Sequence, residues 1–276
     1  GDAWTASPET YVCNGPFYMT EMKLGESITL SKNPNYYDAD AVSLDKVTFR
    51  YITDNATALM AYEAGEIDGM NTVPSSDYAR LKANDDGFVM SPSYGTTYWN
   101  FNCVAEPFDN VLVRKAFNLA IDRYTLIEDV LQMDAEPAFS FIAPGYVVDG
   151  VDYTDERSTF GLSDEADVES AQEALAEAGY PNGEGFPEIT LYYYSSDTVA
   201  LVAQALANMI ETNLNVSVKI ENADWAVFYA DVLTGKYQLC AMGWSADYLH
   251  PMTFLPLAKT DDANNLSGWS NAEYDA

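Results

Sequence analysis

The sequence predicts an α/β chain in two parts, and three observations carry that expectation. The last hundred or so residues alternate strand and helix patterns in the order β-α-β-α-β, which favours parallel strands joined by right-handed crossovers. A strongly periodic helix follows Pro107. Before about Asn100 the chain reads instead as short strands and hairpins around one helix.

In chain order, Ser27 to Leu30 alternates, Lys32-Asn33-Pro34-Asn35 turns, and Lys46 to Ile52 alternates with Val47, Phe49 and Tyr51 on one side. Lys23-Leu24-Gly25-Glu26 reads as a further turn. Asp54 caps a short helix through Ala61, which Gly65 ends. Ile67 to Met70 is strand-like, and Pro74-Ser75-Ser76 opens a helical turn. Tyr94 to Asn102 is largely aromatic and β-branched, the composition of a long strand. Asp109 then caps a helix with Val113, Ala116, Phe117, Ala120 and Ile121 at helical spacing, continuing to Ile127, Val130 and Leu131. A loop covers 137–163, and a helix runs from Asp167 to Ala178, stopped by Gly179 and Pro181. Ile189 to Tyr194 is a strand. Asp197 caps a helix carrying Val199, Val202, Leu206 and Ile210. Asn215 to Ile220 is the second strand, Asp224 caps Trp225 to Leu233, and Tyr237 to Gly243 is the third. The boundary between the two parts lies near Asn100, within a strand shared by both.

Composition excludes several classes. With 276 residues the chain can bury a sizeable core, and 48% apolar content is globular. A formal net charge of -30, from 43 acidic and 13 basic residues, repels phosphate backbones and anionic lipid, so no nucleic-acid partner is expected. Such a surface is a solvated acidic shell, or one that attracts cationic ligands. No apolar run reaches the ~20 residues that span a bilayer, and Gly1-Asp2-Ala3-Trp4 does not open a signal peptide. Cys13, Cys103 and Cys240 are sparse and widely spaced, the pattern of buried thiols rather than of a disulfide framework or zinc cluster.

In open parallel sheets ligands bind beyond the carboxyl ends of the strands. The second strand runs out at Asp224-Trp225, the third at Gly243-Trp244-Ser245-Ala246-Asp247-Tyr248. Those ends carry Trp225, Trp244 and Tyr248, aromatics able to wall a cleft, with Asp224 and Asp247 able to hold a cation. Each has a plainer account. Trp225 and Trp244 suit a core, and Asp224 suits a helix cap. Asp247 follows an apolar strand, and the nearest basic side chains in sequence are Lys236 and Lys259, which leaves a ligand role open to it.

Enzyme signatures are missing. His250 is the one histidine and precedes Pro251 in a loop-like stretch. There is no Gly-rich phosphate loop, HExxH or GxSxG. Asp85-Asp86 and Asp261-Asp262 sit in polar loops where solvation accounts for them. A hydrolase with carboxylates as acid and base finds no pair outside such loops. No catalytic residue, metal or other cofactor is expected.

Seven stretches in order resemble the peptide-binding (oligopeptide and dipeptide) solute-binding proteins of ATP-driven (ABC) importers, family 5. They are Asn14-Gly15-Pro16-Phe17-Tyr18; Lys32-Asn33-Pro34-Asn35-Tyr36-Tyr37; Ala61-Tyr62-Glu63-Ala64-Gly65-Glu66-Ile67-Asp68; Pro107-Phe108-Asp109-Asn110 through Ala116; Ala120-Ile121-Asp122-Arg123; Leu175 through Pro181; and Gly243-Trp244-Ser245-Ala246-Asp247-Tyr248. Singly each is weak, but together they span essentially the whole chain.

The resemblance implies a periplasmic-binding-protein-like two-lobe fold of type II, peptide-binding cluster, closing over a solute. This chain would be incomplete at both ends, with part of lobe one at 1–99 and most of lobe two at 100–276. It implies a peptide ligand, hydrogen-bonded by the Gly243 to Ala246 backbone, with its α-ammonium on Asp247 and Trp225 in the same cleft. It further implies membrane permease subunits as partners, a monomer, and a place outside the cell membrane, in the periplasm or anchored by lipid at an N-terminus absent here. Some oligopeptide binders carry an arginine and a histidine that read ligand carboxylates where this chain has Ala241 and Val199. Ligand length therefore stays open, as does a different cargo on the same fold: a nickel chelate, an oligosaccharide or another amine.

Overall fold

The computed structural model describes residues 2–91, 93–154 and 159–276. The chain divides into two compact units, Gly1–Asp77 and Tyr78–Ala276. The change of character near Asn100 falls inside a strand of the second unit.

In the first unit β1 (Phe17–Lys23), β2 (Ser27–Lys32) and β3 (Lys46–Arg50) form an antiparallel sheet in sequence order. Gly25, at φ 71, makes the tight β1–β2 turn, a conformation other residues adopt at a cost. Asn33 explains why two of the motif stretches occur together. Its Nδ2 donates to the Gly15 carbonyl at 2.9 Å, its backbone N–H donates to Pro16 at 2.8 Å, and its Oδ1 accepts from Asn35 N at 3.0 Å. One buried amide thus fastens the entry to β1 onto the exit of β2. Helix α1 (Asn55–Glu63) is capped by Asp54, whose carboxylate accepts from Thr57 N, and Gly65 at φ 72 ends it. The strand expected at Ile67 to Met70 does not form. A strand needs a partner, and this short stretch with Gly69 in it pairs with none among the described residues. Helix α2 (Ser75–Asn84) crosses the division between units.

The second unit starts its sheet with β4 (Gly95–Phe101). Helix α3 (Val111–Leu119) is capped by Asn110, not Asp109 as expected; the extended backbone of Asn110 lets its side chain accept from Leu112 N. Asp109 and Phe108 instead offer their carbonyls to the Arg114 guanidinium, at 3.1 and 2.7 Å. The long helix expected through Leu131 is broken at Ala120, because Asp122 caps a new start. α4 (Arg123–Thr125) then widens into a π-type segment, Leu126–Leu131. Within the stretch expected as a loop, β5 (Val147–Val148) and β6 (Val151–Asp152) pair across Asp149-Gly150, both at positive φ. Residues 155–158 of that stretch lie outside the described residues.

Helix α5 (Val168–Glu177) comes next, capped by Asp167 and ended by Gly179. After it stand β7 (Ile189–Tyr194) and α6 (Asp197–Leu214). The α6 cap is Ser196, with Asp197 one place inside, correcting the expected Asp197 cap. Asn215 at φ 54 is the left-handed cap that stops α6, and the chain needs Val216 and Ser217 to leave the helix, so β8 is Val218–Ala223 rather than Asn215 to Ile220. Helix α7 (Trp225–Leu233), β9 (Leu239–Ser245) and the short α8 (Ala272–Asp275) complete the unit. β9 is displaced toward the carboxyl end from the expected Tyr237 to Gly243, because β4 pairs with it from Leu239 to Ser245 while the Tyr237 carbonyl is taken by the Asn102 side chain.

The sheet order is β4-β9-β7-β8, with β7 parallel to β8 and β9, and β4 antiparallel to β9. Helices α3, α5 and α6 supply the core against it, where Phe108, Phe117, Leu175, Ile189, Leu191 and Ile210 are all buried. Each such side chain contributes roughly 1.5–3 kcal/mol by leaving water. All three cysteines are free; Cys240 is buried and the other two half-buried.

Candidate functional site

Strand β9 outlasts its neighbour. β7 pairs with it only at Leu191↔Leu239 and Tyr192↔Cys240, whereas β4 follows it to Gly95↔Ser245. From Ala241 onward, therefore, one edge of β9 has a strand and the other has none among the described residues. The Ala246 N–H donates to the Tyr94 carbonyl at 2.8 Å, which fixes the alternation of this antiparallel pair. Trp244 and Met242 turn their backbone groups toward β4. Gly243 and Ser245 turn theirs to the open edge, and both are exposed.

That end of the strand is held tightly. The Tyr94 carbonyl also accepts from the Tyr146 hydroxyl at 3.0 Å, and Tyr146 is buried. Gly95 lets β4 approach: a Cβ there would stand 2.8 Å from the Trp244 carbonyl oxygen and 3.2 Å from Ser245 Cα. Trp244 is half-buried against Ile142, Tyr146, Phe254 and Leu257. Its indole N–H donates to Thr253 Oγ at 3.2 Å, so one side of the ring belongs to packing.

Asp247 is exposed, and its Oδ2 accepts from the Thr253 hydroxyl at 3.2 Å. No ion pair reaches it among the described residues. Ala246 packs with the Trp244 cluster, and Tyr248 beyond it is exposed. His250 caps the short turn Pro251–Thr253 by accepting from Met252 N at Nδ1.

Trp225, just beyond β8, is 54% exposed. It stacks on Tyr229 at 5.3 Å and 14°, with Tyr194 edge-on at 5.3 Å. Burial raises the Tyr194 phenol above its ordinary pKa, so the ring stays neutral. Asp224 occupies the cap position of α7 without a side-chain cap hydrogen bond, against the expected role. Since β7, β8 and β9 run parallel, their carboxyl ends share one side of the sheet. Met242 of β9 packs in the same apolar cluster as Tyr194 and Tyr229. The topology thus brings Trp225 and the open edge of β9 to one end of the sheet. Ala241 is buried there, and Val199 packs against the cluster it shares with Tyr193 and Ala203.

Two hollows lie elsewhere in this unit: one of about 510 Å³ beside Glu128 to Glu136, and one of about 370 Å³ between Tyr192, Asp231 and Tyr237. Neither is lined by any of the seven residues expected at the site. Among the described residues no cluster of His, Cys, Asp or Glu is placed to hold a metal, and no helix is long and apolar enough to cross a membrane. Thr253, Tyr94 and Tyr146 were not anticipated. Gly95 could have been, since glycine inside a strand signals close backbone approach.

Known proteins resemble this chain along its length. The family model "bacterial extracellular solute-binding proteins, family 5 Middle" matches residues 1–265. The oligopeptide-binding protein OppA of Bacillus subtilis is 35% identical over 279 residues, covering 98% of this chain and 50% of its own length. Among solved structures, a periplasmic oligopeptide-binding protein (OppAIV) of Borrelia burgdorferi superposes with TM-score 0.87 at 36% identity, covering 100% of this chain and 53% of that one. Haemophilus influenzae OppA in complex with the peptide RPPGFSPFR gives 0.85 at 28%, covering 100% and 54%. The chain spans about half the length of the curated relatives it matches.

Proposed function

The chain belongs to the family 5 bacterial extracellular solute-binding proteins, and from that premise we propose that it captures oligo- or dipeptides for import. The observation that carries the reading is the unpartnered edge of β9, which offers the backbone of Gly243 and Ser245 and ends at Asp247. An extended peptide added to such an edge is recognised through its main chain, so varied side chains are tolerated. Asp247 then receives the peptide's α-ammonium, and Trp225 and Tyr248 supply exposed aromatic area beside it. The named ligands of the relatives, oligopeptides above all, support this cargo.

The same proposal assigns 1–99 to a first lobe and 100–276 to a second, and hands the ligand to membrane permease subunits of an ABC importer outside the cytoplasmic membrane. It places the protein there as a monomer, in the periplasm or on a lipid anchor. Capture, not catalysis, is the activity proposed, in keeping with relatives named as binding proteins.

The test is calorimetric titration of the full-length protein with short peptides of graded length, each beside its amino-acetylated twin. Free-amino peptides are expected to bind, and both acetylation and Asp247→Ala to weaken binding by about 10- to 100-fold, the worth of a charge-assisted hydrogen bond. Equal binding of both twins would remove Asp247 from the site, and binding of no peptide at all would overturn the cargo.

A further inference from the structure

We infer that Thr253 is a positioning residue that presets the Asp247 carboxylate for a ligand ammonium; the inference rests on the Asp247 reading above. The geometry that points to it is a saturated hydroxyl. Thr253 is 3% exposed, and its Oγ accepts from Trp244 Nε1 at 3.2 Å and from Asp247 N at 3.1 Å. A hydroxyl has two lone pairs and one proton. With both lone pairs facing N–H donors, the proton is committed to Asp247 Oδ2 at 3.2 Å.

This arrangement has three consequences. Oδ2 has a fixed donor, which holds one carboxylate rotamer, while Oδ1 has no hydrogen-bond partner among the described residues and stays available to an incoming cation. The rotamer is set before ligand arrives, so binding does not have to order it. Because the same oxygen holds the Trp244 indole, aromatic and carboxylate are aligned by one atom. The support beneath is firm: Thr253 closes the turn Pro251–Thr253, and the buried Phe254 and Leu257 anchor the turn after it, Leu255–Ala258.

The test uses full-length protein carrying Thr253→Ser, Thr253→Cys or Thr253→Val, titrated with a free-amino peptide and its acetylated twin. The informative quantity is the ratio of the two affinities, which a merely structural defect leaves alone. Val removes the donor and both acceptor positions, and is expected to lower the ratio about tenfold. Ser is expected to restore it. Cys, whose thiol is a weak donor and acceptor, should fall between them, and it carries the comparison should Val fail to fold. In an Asp247→Ala background, Thr253→Val should change the ratio no further. If wild type discriminates between the twins and the Val or Cys variant discriminates equally well, this inference is wrong while the peptide reading stands. If wild type does not discriminate, the Asp247 reading falls and this inference with it.

Discussion

Single residues decide how the two ends of β9 are held. At its start, Tyr237 is buried, donates its hydroxyl proton to the Leu266 carbonyl at 2.5 Å and accepts from Asn100 Nδ2 at 2.9 Å. Burial, first of all, pushes its phenol pKa far up, so it remains a neutral donor throughout the working range. Asn102 repeats the tie, donating to the carbonyls of Tyr237 and Gly235. Tyr237→Phe is expected to cost about 1–3 kcal/mol, because it strands the buried Asn100 amide and the half-buried Leu266 carbonyl while keeping the ring. Urea unfolding followed at equilibrium checks this, and a change within about 0.5 kcal/mol would mean water replaces the hydroxyl. At the far end the work falls to Thr253 and Tyr146. Asp247, Trp225 and Trp244 are legible in the sequence as candidates, because acid and aromatic residues after an apolar strand stand out, and their roles rest on the function proposed above. Tyr146 and Thr253 are not legible in that way. Tyr146 meets the Tyr94 carbonyl, 52 residues away in sequence, only through tertiary folding. Thr253 has its partners, Trp244 and Asp247, within nine residues, but it sits in a short turn that carries no periodic pattern.

Elements were legible where local chemistry decided them and blurred where neighbours competed. Asp54 caps α1 as expected, and Asp167, read from the sequence as the first residue of its helix, is the cap of α5; each accepts from the backbone N–H three residues on. Where two capping residues stand side by side, at Asp109-Asn110 and Ser196-Asp197, composition could not choose; the backbone angle did. The β5–β6 hairpin was readable in principle from Asp149-Gly150 between valine pairs. The caps make a pH prediction. The Asp54 carboxyl is held below its ordinary pKa by the Thr57 hydroxyl and then the Thr57 backbone N–H, and that of Asp167 by the Ser170 N–H and then its side chain. A depressed folded-state pKa means stability fully present above the unfolded value, near 3.9, and lost as pH falls through the lower folded value. Asp54→Asn and Asp167→Asn keep a capping oxygen without the titration. Melting temperatures followed from about pH 5 to about pH 2 should therefore fall less steeply in the double variant than in wild type. Parallel curves would show that other carboxylates govern acid unfolding.

At the scale of the whole molecule the charge is unbalanced and the pairing shallow. Ion pairs of the described residues such as Arg50–Glu66 and Lys23–Glu26 involve exposed side chains, and pairs of that kind contribute little. Against them stands a formal charge of -30, so the electrostatic sum over the folded chain is repulsive. Screening shortens that repulsion, with a Debye length falling from about 30 Å at about 0.01 M salt to about 3 Å at about 1 M. Raising sodium chloride should thus move the urea midpoint upward; urea is the right denaturant because guanidinium is itself a salt. Capture should respond in the opposite direction. A peptide whose ammonium is drawn toward Asp247 by the same field arrives more slowly once the field is screened, by about an order of magnitude across that range. Stopped-flow association of free-amino peptide, measured beside the urea midpoint, separates the two effects. Stability rising while the on-rate falls is the signature of one acidic surface acting on fold and ligand alike. An on-rate indifferent to salt would confine the charge to solubility, leaving recognition to the strand edge and the carboxylate at its end.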